Sequence, residues 1–337
     1  MNREKMWVYM IQLGANMWGR PEEQRPYYIE EEDCYKEYMS ADREVWRKVT
    51  DFLPTCGFNT LLIDIGEGIR FDSHPELAVS GSWSKEEMRE ELARLRSIGL
   101  TPLPKLNFST CHNAWMGEYA YMVGTETYYR VCQELIEETI ELFDTPEFFH
   151  LGLDEERFNK VEGYPIATVR APYKQVEDAN KLFKVCLDKG VRPWMWIDSR
   201  CIHNFGGDDY FRKHIPKEVV ISNWFYRNMY NPEYSERIEL YKKLGEWGYE
   251  QIPTSSTFSY RSNSRQTMRY CKENVNSDSL IGFMTASWIL TDWEDYYGLL
   301  NDAWRFGYAR EVIYGEKMPA RPKDNIPLGL GKPATID

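Results

Sequence analysis

The chain has 337 residues, a formal net charge of −12 and a heavy aromatic load of 12 Trp, 23 Tyr and 15 Phe. That length suits one large domain or two ordinary ones. The acidic balance speaks against nucleic acid and anionic membrane surfaces as partners, because both want a basic face. No apolar run approaches the length of a membrane span, and the N-terminal MNREKMW lacks the apolar core of a secretion signal.

Short apolar runs alternate with amphipathic stretches along the whole chain. The runs cover 6–14, 58–66, 100–108, 147–153, 191–197, 218–224, 250–256 and 279–287. Near-continuous apolar character suits parallel strands covered on both faces. After the second run, Ser84 and Glu87 have the spacing of a capping box, Met88, Leu92 and Leu95 share one face, and Gly99 supplies the stop. A helix is predicted from Thr125, ending before Pro146. Another is predicted over 173–190, with Gly190 at its end. The segment DDYFRKHI after the fifth run reads as a short helix, and Asn231-Pro232 as a cap followed by a first-turn proline. Pro253 is awkward inside the seventh run, since proline cannot donate to a ladder.

Eight strands alternating with helices predict a single-domain (β/α)8 TIM barrel over 1–312, with a C-terminal tail at 313–337. A doubly wound open sheet is the competing α/β architecture. Neither GxGxxG nor GxxxxGK[ST] follows the first strand to favour it. Scattered cysteines in apolar contexts such as YRVCQEL and FKVCLDK predict buried thiols in a reducing compartment, hence a cytoplasmic protein. Without CxxC, HxxxH or HExxH spacing, no metal site and no cofactor are expected.

In such a barrel, ligands bind at the C-terminal strand ends. Polar and aromatic residues collect there. They are Asp64 and Glu67 after the second run, Asn107 and His112 after the third, and Asp154-Glu155-Glu156 after the fourth. Trp196, Asp198 and Arg200 follow at the fifth, Asn223, Trp224 and Tyr226 at the sixth, and Trp288, Asp292 and Glu294 at the eighth. Glu156 is expected to be a solvated helix cap, and Asp198 either holds Arg200 or caps the next segment. Acid–base cleavage of a glycosidic bond needs one carboxylic acid to protonate the leaving oxygen and negative charge opposite. Two adjacent acids repel each other's ionisation, which separates their pKa values. Many rings fall in the loops, which suits stacking on a sugar.

These residues resemble the catalytic barrel of glycoside hydrolase family 20, the β-N-acetylhexosaminidases. Its fourth strand ends in His-[IL]-Gly-Gly-Asp-Glu. This chain has His150-Leu151-Gly152-Leu153-Asp154-Glu155, differing at Leu153. FNTLLIDI, HPEL, Thr110-Cys111-His112, the Trp-x-Asp of the fifth strand and the ASW of the eighth also have counterparts. The resemblance implies a retaining, substrate-assisted reaction in which the sugar's 2-acetamido oxygen attacks its own anomeric carbon. It implies Glu155 as general acid and then base, Asp154 orienting the acetamido N–H, and His112 supporting the pair. It implies Trp196 and Trp288 walling the sugar, and a tyrosine, either Tyr226 or Tyr260, on the acetamido oxygen.

The chain departs from that family at two places. The sugar-gripping Arg of the first strand is missing from IQLGANMW, which offers Gln12 and Asn16, and leaves Arg20 and Arg25 as candidates to replace it. The eighth strand has Trp288-Ile289-Leu290 where the family has Trp-[Ser/Thr]-Glu, leaving Asp292 and Glu294 to substitute. The long, tyrosine-rich loop 15–41 lies at the ligand end and reads as a lid.

The expected partner is a saccharide substrate, with no nucleic acid and no membrane, and a homodimer is left open. Two other functions fit the same barrel: a carbohydrate-binding protein without catalysis, and a metal-dependent sugar isomerase or lyase using Asp64, Glu155 and Asp198.

Overall fold

Strands buried on both faces need helices on one side and a filled interior on the other. The computed structural model, which describes residues 4–20, 34–156 and 168–319, provides both. Its strands are β1 (Met6–Gln12), β2 (Thr60–Asp64), β3 (Thr101–Lys105), β4 (Phe148–His150), β5 (Arg192–Ile197), β6 (Val220–Asn223), β7 (Thr254–Ser255) and β8 (Gly282–Ala286). They form one parallel sheet in the order β6-β5-β4-β3-β2-β1-β8-β7. Bridges between Ile221 and Gln251 and between Trp224 and Thr254 join the two edges. The Ile252 N–H donates to the Ile221 carbonyl at 3.0 Å across the same seam. The sheet therefore closes into a (β/α)8 barrel.

Eight α-helices of the described residues follow the strands in turn. They are α1 (Arg43–Phe52), α2 (Lys85–Ser97), α3 (Glu126–Leu142), α4 (Pro172–Asp188), α5 (Gly207–His214), α6 (Ser235–Glu246), α7 (Asn263–Asn274) and α8 (Tyr296–Tyr314). Period-two alternation divides the core. Val8, Met10, Leu62, Leu103, Phe148, Trp194, Val220, Ile252 and Met284 fill the barrel. Trp7, Tyr9, Ile11, Leu61 and Ile63 face the helices.

The local signals mostly act as the sequence predicts. Ser84 and Glu87 form a reciprocal capping box on α2. Thr125 caps α3, which stops at Leu142. The short α5 places Asp208 and Asp209 in its first turn and Arg212, Lys213 and His214 in its last, matching the helix dipole. Two details differ. Asn231-Pro232 opens a 3-10 turn, Pro232–Tyr234, ahead of α6 rather than α6 itself. The seventh run keeps only two strand residues, because Pro253 just before them has no N–H to donate.

The loop after β1 is clamped where it is described. Asn16 exchanges two 2.8 Å hydrogen bonds with the Lys36 backbone, and Tyr38 bridges to Ser80. Residues 21–33, which include Arg25 and much of the expected lid, lie outside the described residues, as does the tail beyond 319.

Candidate active site

Four inward-facing residues lie in register at the C-terminal ends of β1 to β4: Gln12 opposite Asp64, Asp64 opposite Lys105, and Lys105 opposite His150. Lys105 is fully buried, and its Nζ lies 2.5 Å from Asp64 Oδ2. Burial raises the Asp64 carboxyl, and the Lys105 charge opposes that shift. His150 Nδ1 accepts the Gly152 N–H at 3.0 Å, so the neutral ring carries its proton on Nε2. Burial, together with the Lys105 charge, depresses this imidazole well below its usual value.

Above this layer the chain leaves β4 through three left-handed residues: Gly152 (φ 72°), Leu153 (φ 69°) and Glu155 (φ 56°). Such a conformation costs about 1–3 kcal/mol at each non-glycine residue and persists only where surroundings enforce it. Here the loop after β3 does so. Ser109 Oγ donates to the Asp154 carbonyl, and Cys111 Sγ lies 3.3 Å from the Glu155 carbonyl. At Gly152 a Cβ would sit 1.8 Å from Asn107 Oδ1, so only glycine fits.

Glu156 is not a solvated cap. It is buried, forked by Arg170 Nη2 at 2.6 Å to both oxygens, and accepts the Thr110 N–H at 3.1 Å. Its carbonyl accepts from Asn204 Nδ2. Glu156 therefore bolts the turn between the β3 and β5 loops.

The neighbouring acids point into the mouth. Asp154 Oδ1 accepts from Asn107 Nδ2 at 3.0 Å and lies 3.3 Å from His112 Nδ1. His112 Nε2 is 3.7 Å from Glu155 Oε2. Burial alone would raise the Asp154 carboxyl. The His112 charge and hydrogen bond, the Lys105 charge and the Asn107 amide outweigh it and hold the group far below the ordinary carboxylate range. Burial likewise works against the His112 imidazolium, but Asp154 and Glu155 raise its pKa. The ionised form of Asp154 is thus favoured by the cation beside it rather than set by repulsion from a second acid. Trp18, from the loop after β1, packs edge-on against His112 at 4.8 Å.

The aromatic wall rises from β5, β6 and β8. Trp196 lies 6.0 Å from Trp288, Trp288 lies 6.4 Å from Tyr226, and Tyr226 stacks on Trp224 at 5.3 Å. Trp288 is itself left-handed, at φ 56°. Burial drives the Tyr226 hydroxyl far above its usual pKa; Trp288 opposes this, while the charges of Asp154, Glu155 and Asp198 add to it. Tyr226 therefore stays a neutral donor beside the acid pair, whereas Tyr260 is exposed on the loop after β7. The indole N–H groups of Trp196 and Trp224 are buried with no hydrogen-bond partner among the described residues. Buried polar groups of this kind are normally met by ligand or water.

Asp198 does both things the sequence allowed. Its Oδ2 accepts from Arg200 Nε and Arg237 Nη2, each at 2.9 Å, and its Oδ1 accepts the Cys201 N–H at 2.6 Å. Asn223 pairs with the helix-facing Ile197, so it points away from the mouth. Asp292 caps the turn into α8 by accepting the Asp295 N–H at 3.0 Å, and Glu294 is exposed. Arg20 pairs with Glu37 at 2.9 Å and lies over Tyr35. Glu67 anchors the loop after β1 by accepting the Ala15 and Asn16 N–H groups, and burial pushes its carboxyl up to about 7.

With Asp64 held by Lys105 and Asp198 by two arginines, the three carboxylates of the metal-dependent alternative do not converge. Among the described residues no cluster of three His, Cys, Asp or Glu is arranged to hold a metal ion. The seven cysteines are free, buried thiols. No helix of the described residues is long and apolar enough to cross a membrane. A surface cleft of about 680 Å³ lined by α2 and α3 residues such as Lys85, Glu134 and Glu138 holds none of the candidate groups.

No family model and no curated protein matches the sequence. Solved structures do match the fold. A β-N-acetylhexosaminidase from Bacteroides fragilis is 15% identical at a TM-score of 0.60, covering 90% of this chain and 66% of the other. A Streptomyces plicatus β-hexosaminidase with bound GlcNAc is 13% identical at 0.59, covering 90% and 64%. The pneumococcal virulence factor StrH, solved in a study of N-glycan recognition and hydrolysis, is 13% identical at 0.60, covering 92% and 85%. The chain spans just under two thirds of the first two. Identities this low establish a shared barrel and no more.

Proposed function

We propose that the protein is a glycoside hydrolase acting on β-linked N-acetylhexosamine-type sugars by a retaining, substrate-assisted mechanism. The observation that carries this reading is Asp154, kept ionised by His112 beside Glu155 at the foot of an aromatic wall. The sugar ring lies against Trp196 and Trp288. Its acetamido oxygen attacks the anomeric carbon as the glycosidic bond breaks, and Glu155 gives its proton to the departing oxygen. Positive charge develops on the acetamido nitrogen, whose N–H donates to the Asp154 carboxylate. Charge-matched groups preorganised in a dry site are the largest source of such stabilisation. The Tyr226 hydroxyl donates to the acetamido oxygen and holds it in line. Glu155, now ionised, takes a proton from water as that water opens the oxazolinium from the same face, which returns the acid and retains the configuration. Fold-level likeness to hexosaminidases supports the reading and does not supply it.

A crystal soaked with N-acetylglucosamine thiazoline tests it. Density between Trp196 and Trp288, with the ring nitrogen on Asp154, is expected; a site that excludes the compound at saturation refutes it.

The absence from β1 of the arginine that the family resemblance calls for gives the second reading some weight. Gln12 stands at the end of β1, and Arg20 is paired with Glu37. A carbohydrate-binding barrel without turnover would show calorimetric saccharide binding and no hydrolysis across a substrate panel.

A further inference from the structure

The loop after β1 leaves its strand under close control. The Leu13 and Gly14 N–H groups both donate to the Asp64 carbonyl, at 2.9 and 3.1 Å. Glu67, buried on the turn after β2, then accepts the Ala15 N–H at 2.8 Å and the Asn16 N–H at 3.2 Å to each oxygen. The Met17 N–H donates back to the Ala15 carbonyl at 2.8 Å, a three-residue turn. The returning strand of the loop is tied as well. Asn16 exchanges hydrogen bonds with the Lys36 backbone, and the Tyr35 N–H donates to the Gly19 carbonyl at 3.0 Å. Between these ties stands Trp18, its ring 4.8 Å from that of His112 and nearly perpendicular to it, at 82°.

Neither Glu67 nor Trp18 takes part in the proton transfers proposed above. Both act on the ring that does touch the acids. His112 is buried and Trp18 half-buried, so the indole is the outer layer and the imidazole the inner one. Keeping water off the imidazole strengthens its contacts with Asp154 and Glu155. The anchor is costly, because burial works against the Glu67 charge and pushes its carboxyl up to about 7. What that anchor places, two residues beyond its last hydrogen bond, is Trp18.

We infer that Glu67 is a positioning residue: by holding the first turn of the loop after β1 it sets Trp18 as a cover over His112, and so keeps the contacts of that ring with Asp154 and Glu155 dry and fixed. The effect on turnover rests on the hydrolase reading; the cover itself does not.

The test uses the full chain, isotopically labelled at its histidine nitrogens, and follows exchange of the His112 ring N–H with water by NMR. The resonance is assigned by its loss in His112→Gln. Trp18→Ala should speed the exchange by about tenfold or more, and Trp18→Phe should restore most of the protection. Glu67→Gln, which replaces one acceptor oxygen by a donor, should speed it in the same direction although Glu67 does not touch His112. Because Glu67 acts through Trp18, the double variant should exchange no faster than Trp18→Ala alone. On aryl N-acetyl-β-hexosaminides, Trp18→Ala and Glu67→Gln should each lower kcat by about tenfold with little change in KM. If the chain turns over none of these substrates, the exchange rates decide the matter alone. A native ring proton that already exchanges too fast to be seen, an unchanged rate in either single variant, or losses that add in the double variant would overturn the inference.

Discussion

His112 stands between Asp154 and Glu155, with Nδ1 3.3 Å from one carboxylate and Nε2 3.7 Å from the other. Its ring favours the ionised form of Asp154. Asp154 has a depressed folded pKa, so its contribution to stability is present above the unfolded value of about 3.9 and is lost as pH falls. His112 has a raised folded pKa, so its contribution is full below about 6.5 and is lost as pH rises through the folded value. The pair should stabilise most between those limits. Removing one member of a buried pair costs about 3–5 kcal/mol. His112→Gln should therefore lower urea stability by that order at pH 5 and flatten both slopes. An unchanged pH–stability curve would show that the pair is not ionic.

Lys105 lies under the acids as a fully buried cation on Asp64. Lys105→Met strands Asp64 and should destabilise by about 3–5 kcal/mol. The double variant Lys105→Met/Asp64→Leu should recover much of that loss. Lys105→Met should raise the Asp154 titration seen by carbon NMR, since Lys105 helps depress it, and removing the like charge of Asp64 in the double variant should offset that rise. A Lys105→Met protein with native stability and an unshifted Asp154 would remove this layer from the electrostatics of the site.

Gly152 and Gly190 form a controlled comparison. Both are left-handed, at φ 72° and 74°. An added Cβ meets Asn107 in the first case and nothing in the second. Gly190→Ala should cost about 1–2 kcal/mol from backbone conformation alone. Gly152→Ala should cost several kcal/mol more and loosen the Asn107 hold on Asp154. Equal denaturation midpoints for the two variants would contradict the close approach.

Glu67 gives the opposite pH sign from Asp154. Its carboxyl is raised to about 7, so between about 4.5 and 7 the folded chain holds a proton that the unfolded chain has released. Stability from this group falls as pH rises across that window, by about 3 kcal/mol in all. Glu67→Gln should abolish this slope in urea titrations at pH 5, 6, 7 and 8. A slope that survives the substitution would belong to another group.

The barrel was legible in the sequence because parallel strands covered on both faces read as apolar runs, and Pro253 even marked the shortest one. The acid pair was legible because polar residues gathered at one end of those runs. The supporting parts were hidden for physical reasons. Lys105 sits in LTPLPKLNF like a surface lysine, and only its register opposite Asp64 and His150 shows that it points inward. Glu156 could not be read as buried without Arg170, whose fork comes from 14 positions further along the chain. Trp18 reaches His112 from an irregular loop, and Arg237 reaches Asp198 from α6, 39 positions away, so no local pattern announces either.

Glu155→Gln, assayed on aryl N-acetyl-β-hexosaminides of graded leaving-group acidity, tests the proposed acid directly. A general acid contributes about 10²–10⁴-fold. The variant should lose that much kcat/KM on poor leaving groups, and far less on the most acidic phenols, which depart without a proton. Full activity on the poor leaving groups, or a uniform loss across the series, would contradict Glu155 as the proton donor.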